Sequence, residues 1–375
     1  MAETWMQDLQ MGPWQPDAAL PDAFVELPRQ LYAEDPHWLG EDAQALQRQF
    51  SRANPWFVSG SAWLGAIPGQ ARLAGFVSDQ LIDGQPAAFF GFWESVEDPA
   101  PSRALFQGLR DWARGQGASR LYGPINFSTF GAYRLRLDAF EAGCFAGEPW
   151  NPPYYPALLE SLGFDLRHRY LSTFNDLADT AASVRPDYLR VKPQLERVVS
   201  LEAMTGEFWM EHLDELYGFV DAVFGANFAY TPLSRAAFGQ HCGQAFADRL
   251  CPRSSVLARA HDGRIAGFFL TYPDFAPLLR QGNPQRLAAA DLKQAEHFDR
   301  LPVPRRILAK TGGVHPDFRE HGLFTAMGCE LSLRAEPHYQ QVVGAMVRED
   351  NNSRQFALRH GGGDLHHYGL YQGTL

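Results

Sequence analysis

Positive charge is in short supply in this chain. Its 375 residues carry 33 Lys and Arg against 43 Asp and Glu, a formal net charge of −10. That balance argues against a general nucleic-acid binder, which needs a broad basic footprint, though it leaves room for one local basic patch. Cysteine is scarce as well. Cys144, Cys242, Cys251 and Cys329 lie far apart and form no Cys-x-x-Cys pair, so neither a zinc framework nor a disulfide scaffold is implied. No apolar run reaches the ~18 residues that span a bilayer. Met1 is followed by acidic and polar residues instead of a leader pattern. The expectation is a soluble, cytoplasmic protein with no membrane partner. A Gly-x-Ser-x-Gly elbow, a Gly-x-x-x-x-Gly-Lys-Ser/Thr loop and a strand followed by Gly-x-Gly-x-x-Gly are all missing. His315, His360, His366 and His367 lack the carboxylate spacing of a metal site, so no metal is expected.

What is present is an ordinary globular balance, 45% hydrophobic and 20% charged, in a chain long enough for about two domains at roughly 100–200 residues each. Residues 1–20 show no periodicity and read as an irregular extension. Two short helices follow, then a hairpin about Pro68-Gly69, an apolar strand at Ala87–Ser95 and a helix reaching Gly115 with Ser102 as its expected N-cap. A strand at Arg120–Tyr122 and a later one at Arg169–Phe174 close the first half. The second half repeats this order: a hairpin about Asp262-Gly263, a strand at Arg306–Val314, a helix at Leu323–Leu333, and strands at Val342–Val347 and His366–Tyr371. The order predicts two tandem copies of one α/β fold, over residues 21–178 and 196–375. Residues 179–195, with Asp179, Thr180, Ser183 and Pro186, read as a linker.

The stretch richest in chemical meaning is Val314-His-Pro-Asp-Phe-Arg319-Glu-His-Gly322-Leu-Phe-Thr325. A strand ends at Val314 and a helix begins near Gly322. The free N–H groups and the positive dipole end of a helix start bind anions. Glycine at 322 lets a phosphate approach the backbone, and Arg319 and the Thr325 hydroxyl add donors. An ordinary strand–turn–helix accounts for the same residues.

This stretch resembles the pyrophosphate loop of the GNAT superfamily of acyl-CoA-dependent acyltransferases, Arg/Gln-x-x-Gly-x-Gly/Ala after a strand. Arg319 and Gly322 match the first two fixed positions. Phe324 stands at the third, normally small, and Glu320 where glycine is common. Downstream, Glu349-Asp350-Asn351-Asn352 and Leu358-Arg-His-Gly-Gly are similar to the family's Asn-containing helix ending in Gly. The helix position of the family's tyrosine acid holds Ala357 and Leu358. The first half resembles the same fold without the loop, since Val96-Glu-Asp-Pro-Ala-Pro101 has no Arg-x-x-Gly. With Asp35-Pro36-His37-Trp38, Gly123–Ser128, Asn151-Pro-Pro-Tyr-Tyr155 and Tyr272-Pro-Asp274, nearly the whole chain is similar to a group of bacterial tandem GNAT proteins.

The resemblance implies tandem mixed, mostly antiparallel sheets flanked by helices. It also implies acetyl-CoA or another acyl-CoA as co-substrate, held by Val314, Arg319, Gly322, Leu323, Phe324, Thr325, Asn351 and Asn352. Glu349, which ends a strand beside the loop, is the first candidate base and Asp274 the second. Loops at strand ends commonly carry function, so Asn126, Ser128, Tyr154 and Tyr155 are candidate substrate residues; turn elements about Pro124, Pro152 and Pro153 explain them equally well. The expected activity is N-acylation of a small amine. An aminoacyl-tRNA donor is the alternative, with Arg185, Arg190, Lys192 and Arg197, or Arg300, Arg305, Arg306 and Lys310, on phosphates. A third reading is a non-catalytic binding protein that keeps the fold.

Overall fold

The computed structural model describes residues 4–351 and 353–375. In chain order the elements are β1 (Gln10–Pro13), α1 (Asp22–Leu31), α2 (Ala43–Gln49), β2 (Ser61–Ile67), β3 (Ala71–Ile82), β4 (Gln85–Ser95), α3 (Pro99–Gly115), β5 (Arg120–Gly123), β6 (Leu135–Arg136), α4 (Tyr155–Ser161) and β7 (Phe164–Asp176). There follow α5 (Leu177–Leu195), β8 (Val199–Ala203), α6 (Gly206–Glu211), α7 (Leu213–Phe224), α8 (Arg235–His241), α9 (Gln244–Ala247), β9 (Val256–Ala260) and β10 (Ile265–Pro273). The chain ends with α10 (Ala276–Leu279), α11 (Gln294–His297), β11 (Arg306–Val314), α12 (Leu323–Ala335), β12 (Gln341–Arg348), α13 (Ser353–Arg359) and β13 (Leu365–Thr374). Among the described residues no helix is long and apolar enough to cross a membrane.

Residues up to Arg169 form a first compact unit together with Tyr368–Leu375, and Tyr170–His367 form a second. Strand order in the first is β1-β2-β3-β4-β5-β13, with β6 on β13; in the second it is β8-β9-β10-β11-β12-β7. In each unit the single parallel pair of this series sits in the same place, β4 with β5 and β11 with β12. The repeated order expected from the sequence is therefore present. The last strand of each unit, however, comes from the other half of the chain. Tyr170–Asp176 of β7 pair with β12, Tyr170 opposite Arg348. Tyr371–Thr374 of β13 pair with β5, Tyr371 opposite Gly123.

Local chemistry explains most elements. Gly69 at φ +65° turns β2 into β3, Asp83 and Gly84 turn β3 into β4, and Gly263 turns β9 into β10, all positions where a left-handed backbone suits a tight hairpin. Helix α3 begins earlier than Ser102. The Asp98 carboxylate accepts the Ala100 N–H, and Pro99 fills the first position, where a missing N–H costs nothing. Ser102 is buried, accepting the Trp93 indole N–H at 2.9 Å. Leu105, Phe106 and Leu109 are fully buried in the first unit's core, each contributing about 1.5–3 kcal/mol.

Two expectations are corrected. Residues 1–20 include strand β1, paired from Gln10 opposite Ala66 to Pro13 opposite Trp63. Gly12 and Pro13 hide its alternation, and proline is tolerated on an edge strand. Residues 179–195 lie in the 19-residue helix α5, capped by Asp176, whose carboxylate accepts the Asp179 N–H. Pro186 and Pro193 read as breakers, but Ala181, Val184 and Tyr188 form a buried stripe at helical spacing. Val184 and Tyr188 pack with Cys329 of α12, and that burial outweighs the lost N–H groups.

β13 is locked into the first unit by charge. The Tyr368 hydroxyl donates a short hydrogen bond to Glu148. Glu148 lies 3.7 Å from Arg136 Nη1, both side chains being fully buried, and the Trp150 ring lies 4.9 Å from the guanidinium.

The exchange makes fragments testable. A piece beginning at residue 190 lacks the β7 segment that pairs with β12 and part of α5. Exposed strand edges and apolar faces promote association. Residues 190–375 are expected to aggregate on size exclusion, whereas residues 170–367 are expected to elute as a monomer. A monodisperse, cooperatively melting 190–375 fragment contradicts this.

Candidate active site

β11 and β12 run together and then part. Their parallel ladder extends from Arg306 opposite Gln341 to Ala309 opposite Gly344. Beyond it, among the described residues, no ladder pair joins them. β11 continues to Val314 along β10, and β12 continues to Arg348 along β7. Each strand carries a bulge at the parting. Leu270 faces Thr311 while Thr271 faces Ala309, so Lys310 is the extra residue on β11. On β12 the register shifts between Gly344 and Val347; Met346 takes φ +55° and its N–H donates to the Ser172 hydroxyl at 2.9 Å. Bulges bend and twist a strand, which opens the gap. Both faces of the freed arm are tightly covered. A Cβ at Gly312 would meet Phe269 and Phe324 at 3.0 Å, and one at Gly313 would meet Val223 at 2.7 Å.

At the end of that arm stands the loop. Val314 is buried. The residues Pro316–His321 make a 3-10 turn, and Gly322 takes φ +65° before α12 begins. Among the described residues no side chain caps α12, so there the N–H groups of Leu323, Phe324 and Thr325 lack the partners a capped first turn has. A Cβ at Gly322 would meet nothing within 4 Å. Arg319 is exposed and its Nε donates to the Val314 carbonyl at 3.4 Å. Leu323 is buried and Thr325 exposed. Phe324 lies against Phe269, with ring centroids 5.3 Å apart. Its bulk is thus directed onto the sheet over Gly312. An open, uncapped start on a 13-residue helix with an arginine beside it suits a diphosphate.

Because β11 and β12 are parallel, Glu349 leaves the sheet at the same end as the loop. It is half-buried, and its carbonyl accepts from Arg354 at 3.3 Å. Asn351 accepts the Ser353 N–H at 3.0 Å, which caps α13. Asn352 lies outside the described residues. Asp274 is placed elsewhere, at the opposite end of β10 and β11, where Pro273 faces Ile307. It is buried, accepts the Ala276 N–H at 3.0 Å and pairs with Arg306 at 3.3 Å.

The first unit has the same parting, closed. β4 pairs with β5 only from Ala87 opposite Arg120 to Phe89 opposite Tyr122, and Phe92 at φ +48° marks a bulge. Here the chain after β5 fills the gap. Ile125 N–H donates to the Phe90 carbonyl at 2.7 Å, and Asn126 Oδ1 accepts the Phe92 N–H at 2.9 Å. A Cβ at Gly91 would meet Asn126 at 2.5 Å. Ser128 is buried and accepts the Phe130 N–H at 3.3 Å. Tyr154 donates to the Ser95 carbonyl at 2.7 Å, and burial raises its hydroxyl to about 12. Tyr155 donates to Glu94 at 2.7 Å. All four candidate substrate residues are thus engaged in holding the fold. The helix after β4 also differs from α12, because the Asp98 carboxylate occupies its start and repels an anion.

Sequence reading passed over Glu94. It ends an apolar strand, yet its Oε2 accepts hydroxyls of both Tyr32 and Tyr155 at 2.7 Å. Burial lifts its carboxyl to about 7, against the opposing pull of Arg72 and the two hydroxyls.

No family model matches the chain. It is 24% identical over 224 residues to protein YghO of Escherichia coli (strain K12), covering 58% of this chain and 56% of that one. It is 25% identical over 269 residues to a bacterial ceramide synthase of Caulobacter vibrioides, covering 67% and 66%. The chain thus spans between about half and two thirds of these relatives. Among solved structures, a tandem GNAT protein from the clavulanic acid biosynthesis pathway superposes over 98% of both chains, with a TM-score of 0.53 at 15% identity. The fold is tandem GNAT. A probable N-acyltransferase from Enterococcus faecalis V583 agrees, with a TM-score of 0.51 at 10% identity over 97% of this chain and 72% of that one. Both units keep the same sheet order, with the gap open in the second and sealed in the first.

The two loop residues separate conformation from surface charge. Gly322→Ala is expected to destabilise by about 1–2 kcal/mol, because a left-handed backbone penalises a Cβ. Arg319→Ala is expected to stay within roughly ±0.5 kcal/mol. Asn126→Ala leaves a buried N–H without its acceptor and is expected to cost about 1–3 kcal/mol. Urea melts of the three variants check these values.

Proposed function

We propose that the protein is an acyl-CoA-dependent N-acyltransferase acting on an amine. The observation that carries this reading is the open parting of β11 from β12, which leads to the uncapped, glycine-started helix α12. The N–H groups of Leu323, Phe324 and Thr325, with Arg319, would hold the diphosphate. The arm of β11 past Ala309 would orient the acyl-bearing chain through its backbone. When bound, the co-substrate supplies an acyl group activated as a thioester. The protein's share is positioning, backbone N–H stabilisation of the developing oxyanion, and removal of the amine's proton. Glu349, half-buried at the open end and without a side-chain partner among the described residues, is the base this reading assigns.

The ceramide synthase relative supports an amine acceptor, since a ceramide is the amide of a fatty acid and a long-chain amino alcohol. The acyl-CoA donor is favoured over aminoacyl-tRNA by the engagement of the basic residues. Arg185, Arg190, Lys192 and Arg306 each hold a carboxylate, and Arg305 lies over the Phe298 ring.

Acyl-CoA is expected to raise the melting temperature through binding to the native state. Arg319→Ala should lose about 1.5–3 kcal/mol of that binding, the worth of a charge-assisted contact, with an unshifted melt in the absence of ligand. Glu349→Gln should lower kcat by about 10²–10⁴ while leaving donor binding intact. Unchanged acyl-CoA affinity in Arg319→Ala sinks the loop assignment. Steeply salt-dependent aminoacyl-tRNA binding, with no response to acyl-CoA, would replace the donor.

A further inference from the structure

Many arginines of the second unit hold a carboxylate, as Arg185, Arg306 and Arg334 do. Arg253 and Arg305 are answered differently. Arg253 is exposed and makes no hydrogen bond or ion pair among the described residues; its guanidinium lies over the Phe298 ring, 4.4 Å from the ring centre. Arg305 is half-buried and lies over the same ring at 4.6 Å. The two charges are therefore no further apart than those two distances joined end to end. Arg305 Nε reaches the Leu301 carbonyl only at 3.4 Å. The carboxylate it faces, Asp299, stands 3.9 Å away and is 89% exposed, beyond hydrogen-bond reach. His338 is a third member. It is half-buried, and burial and the Arg253 charge hold its imidazole below the ordinary histidine range.

The frame under this cluster is well anchored. Phe298 is buried, with the Tyr339 ring edge-on at 5.4 Å. The Tyr339 hydroxyl lies 3.0 Å from Cys251 Sγ, two residues before Arg253. Ser254 and Ser255, next along, bury their hydroxyls against Thr271 at 2.8 and 3.0 Å. Arg305 is tied to the start of β12: its N–H donates to Gln340 Oε1 at 2.8 Å, and its carbonyl accepts the Gln340 N–H at 2.9 Å. His338 lies two residues before Gln340. β9, β11 and β12 run the same way. Their starts, which carry Arg253, Arg305 and His338, thus share the end of the sheet away from Gly322. Asp274, the buried carboxylate at that end, is committed to Arg306 at 3.3 Å.

Like charges gathered on a fixed frame cost free energy that an anion recovers. Contact with a ring neutralises neither guanidinium. We propose that Arg253, Arg305 and His338 form a binding site for the phosphate of a phosphomonoester. Two guanidiniums match the charge of about −1.5 to −2 that such a phosphate carries near neutrality, whereas a carboxylate supplies only one. The forked N–H donors of arginine suit phosphate oxygens, and the imidazole of His338 brings a further N–H. The cluster is too small for a nucleic acid, which presents a row of phosphates. A free phosphate ester and a lipid phosphate headgroup share this chemistry. Val303, 71% exposed and two residues before Arg305, is the apolar neighbour that a bilayer would meet. The site does not rest on the acyltransferase reading, since the diphosphate loop lies at the other end of β11.

The test titrates the full-length protein calorimetrically with glycerol 3-phosphate, near neutral pH and at constant ionic strength, with acetate as the control anion. Acetate is expected to bind about tenfold more weakly or not at all. Arg253→Ala changes an exposed side chain and should melt like the parent, yet bind glycerol 3-phosphate about tenfold more weakly; Arg305→Ala should do the same. Arg319→Ala, in the loop before α12, should bind it as the parent does. The site is refuted if the parent fails to bind glycerol 3-phosphate, if acetate binds as tightly, or if Arg253→Ala binds with unchanged affinity. Binding lost in Arg319→Ala but kept in Arg253→Ala puts the phosphate on the loop and refutes the site equally. Should Arg305→Ala not fold, Arg253→Ala decides alone. Co-sedimentation with phosphatidylcholine vesicles, with and without phosphatidic acid, separates the two sources. Pelleting that needs both phosphatidic acid and Arg253 supports the site with the headgroup as ligand. Glycerol 3-phosphate binding without pelleting supports it with the free ester. An acyl-CoA melting shift kept in Arg253→Ala and a phosphate-ester affinity kept in Arg319→Ala show that the two sites stand or fall separately.

Discussion

Parallel strands that part within a sheet leave a row of N–H and C=O groups facing each other across a gap too wide to bond. Buried backbone groups without partners are costly, so a fold that opens such a gap must fill it or leave it for a ligand. The second unit leaves its gap open past Ala309 and Gly344. Around it the sequence makes a series of local concessions. Lys310 bulges, Met346 takes a left-handed conformation and turns its N–H to Ser172, and Gly312 and Gly313 give up their side chains to Phe269, Phe324 and Val223. Each costs a little stability alone. Together they keep one strand edge available beside an uncapped helix start.

The first unit shows the other solution on the same sheet order. After β5 the chain folds back into the gap, and Ile125 and Asn126 satisfy Phe90 and Phe92 as a ligand's backbone would. The following helix start is also closed, since Pro99 has no N–H to offer and Asp98 presents a carboxylate where the second unit presents open backbone. Two copies of one topology thus end differently, one gap open and one sealed, through a handful of residues. The buried polar network about Glu94 lies in the sealed copy.

Much of this was legible in the sequence, for identifiable reasons. Hairpins are announced locally by Pro68-Gly69 and Asp262-Gly263, and the strand–loop–helix from β11 to α12 by a helix-starting glycine with an arginine before it. Those signals act over a few residues. β1 was hidden because Gly12 and Pro13 break its alternation, and α5 because Pro186 and Pro193 resemble a linker more than a helix interior. The strand exchange had no local signal, as β7 and β13 read identically whichever neighbour they take. Asn126, Tyr154 and Tyr155 are polar groups at strand ends, yet their bonds close on the protein itself, through partners that no local pattern announces. Glu94 went unnoticed because a single acid at the end of an apolar strand ordinarily marks an exit to solvent.

The exchanged strands also set an order of events during synthesis. The ribosome delivers the chain from the N-terminus, and domains usually fold as they emerge. Here the first unit cannot close when its own half has emerged, because β5 awaits β13 and the buried Arg136–Glu148 pair awaits Tyr368, 220 residues further along. The second unit needs nothing beyond His367, so it can be complete while the earlier one is still missing a strand. The N-terminal core therefore spends most of translation with an open sheet edge. Its final step joins residues far apart in sequence, the kind of contact that forms slowly. Loss of the last eight residues, a small change by length, removes the closing strand of the domain that was made first.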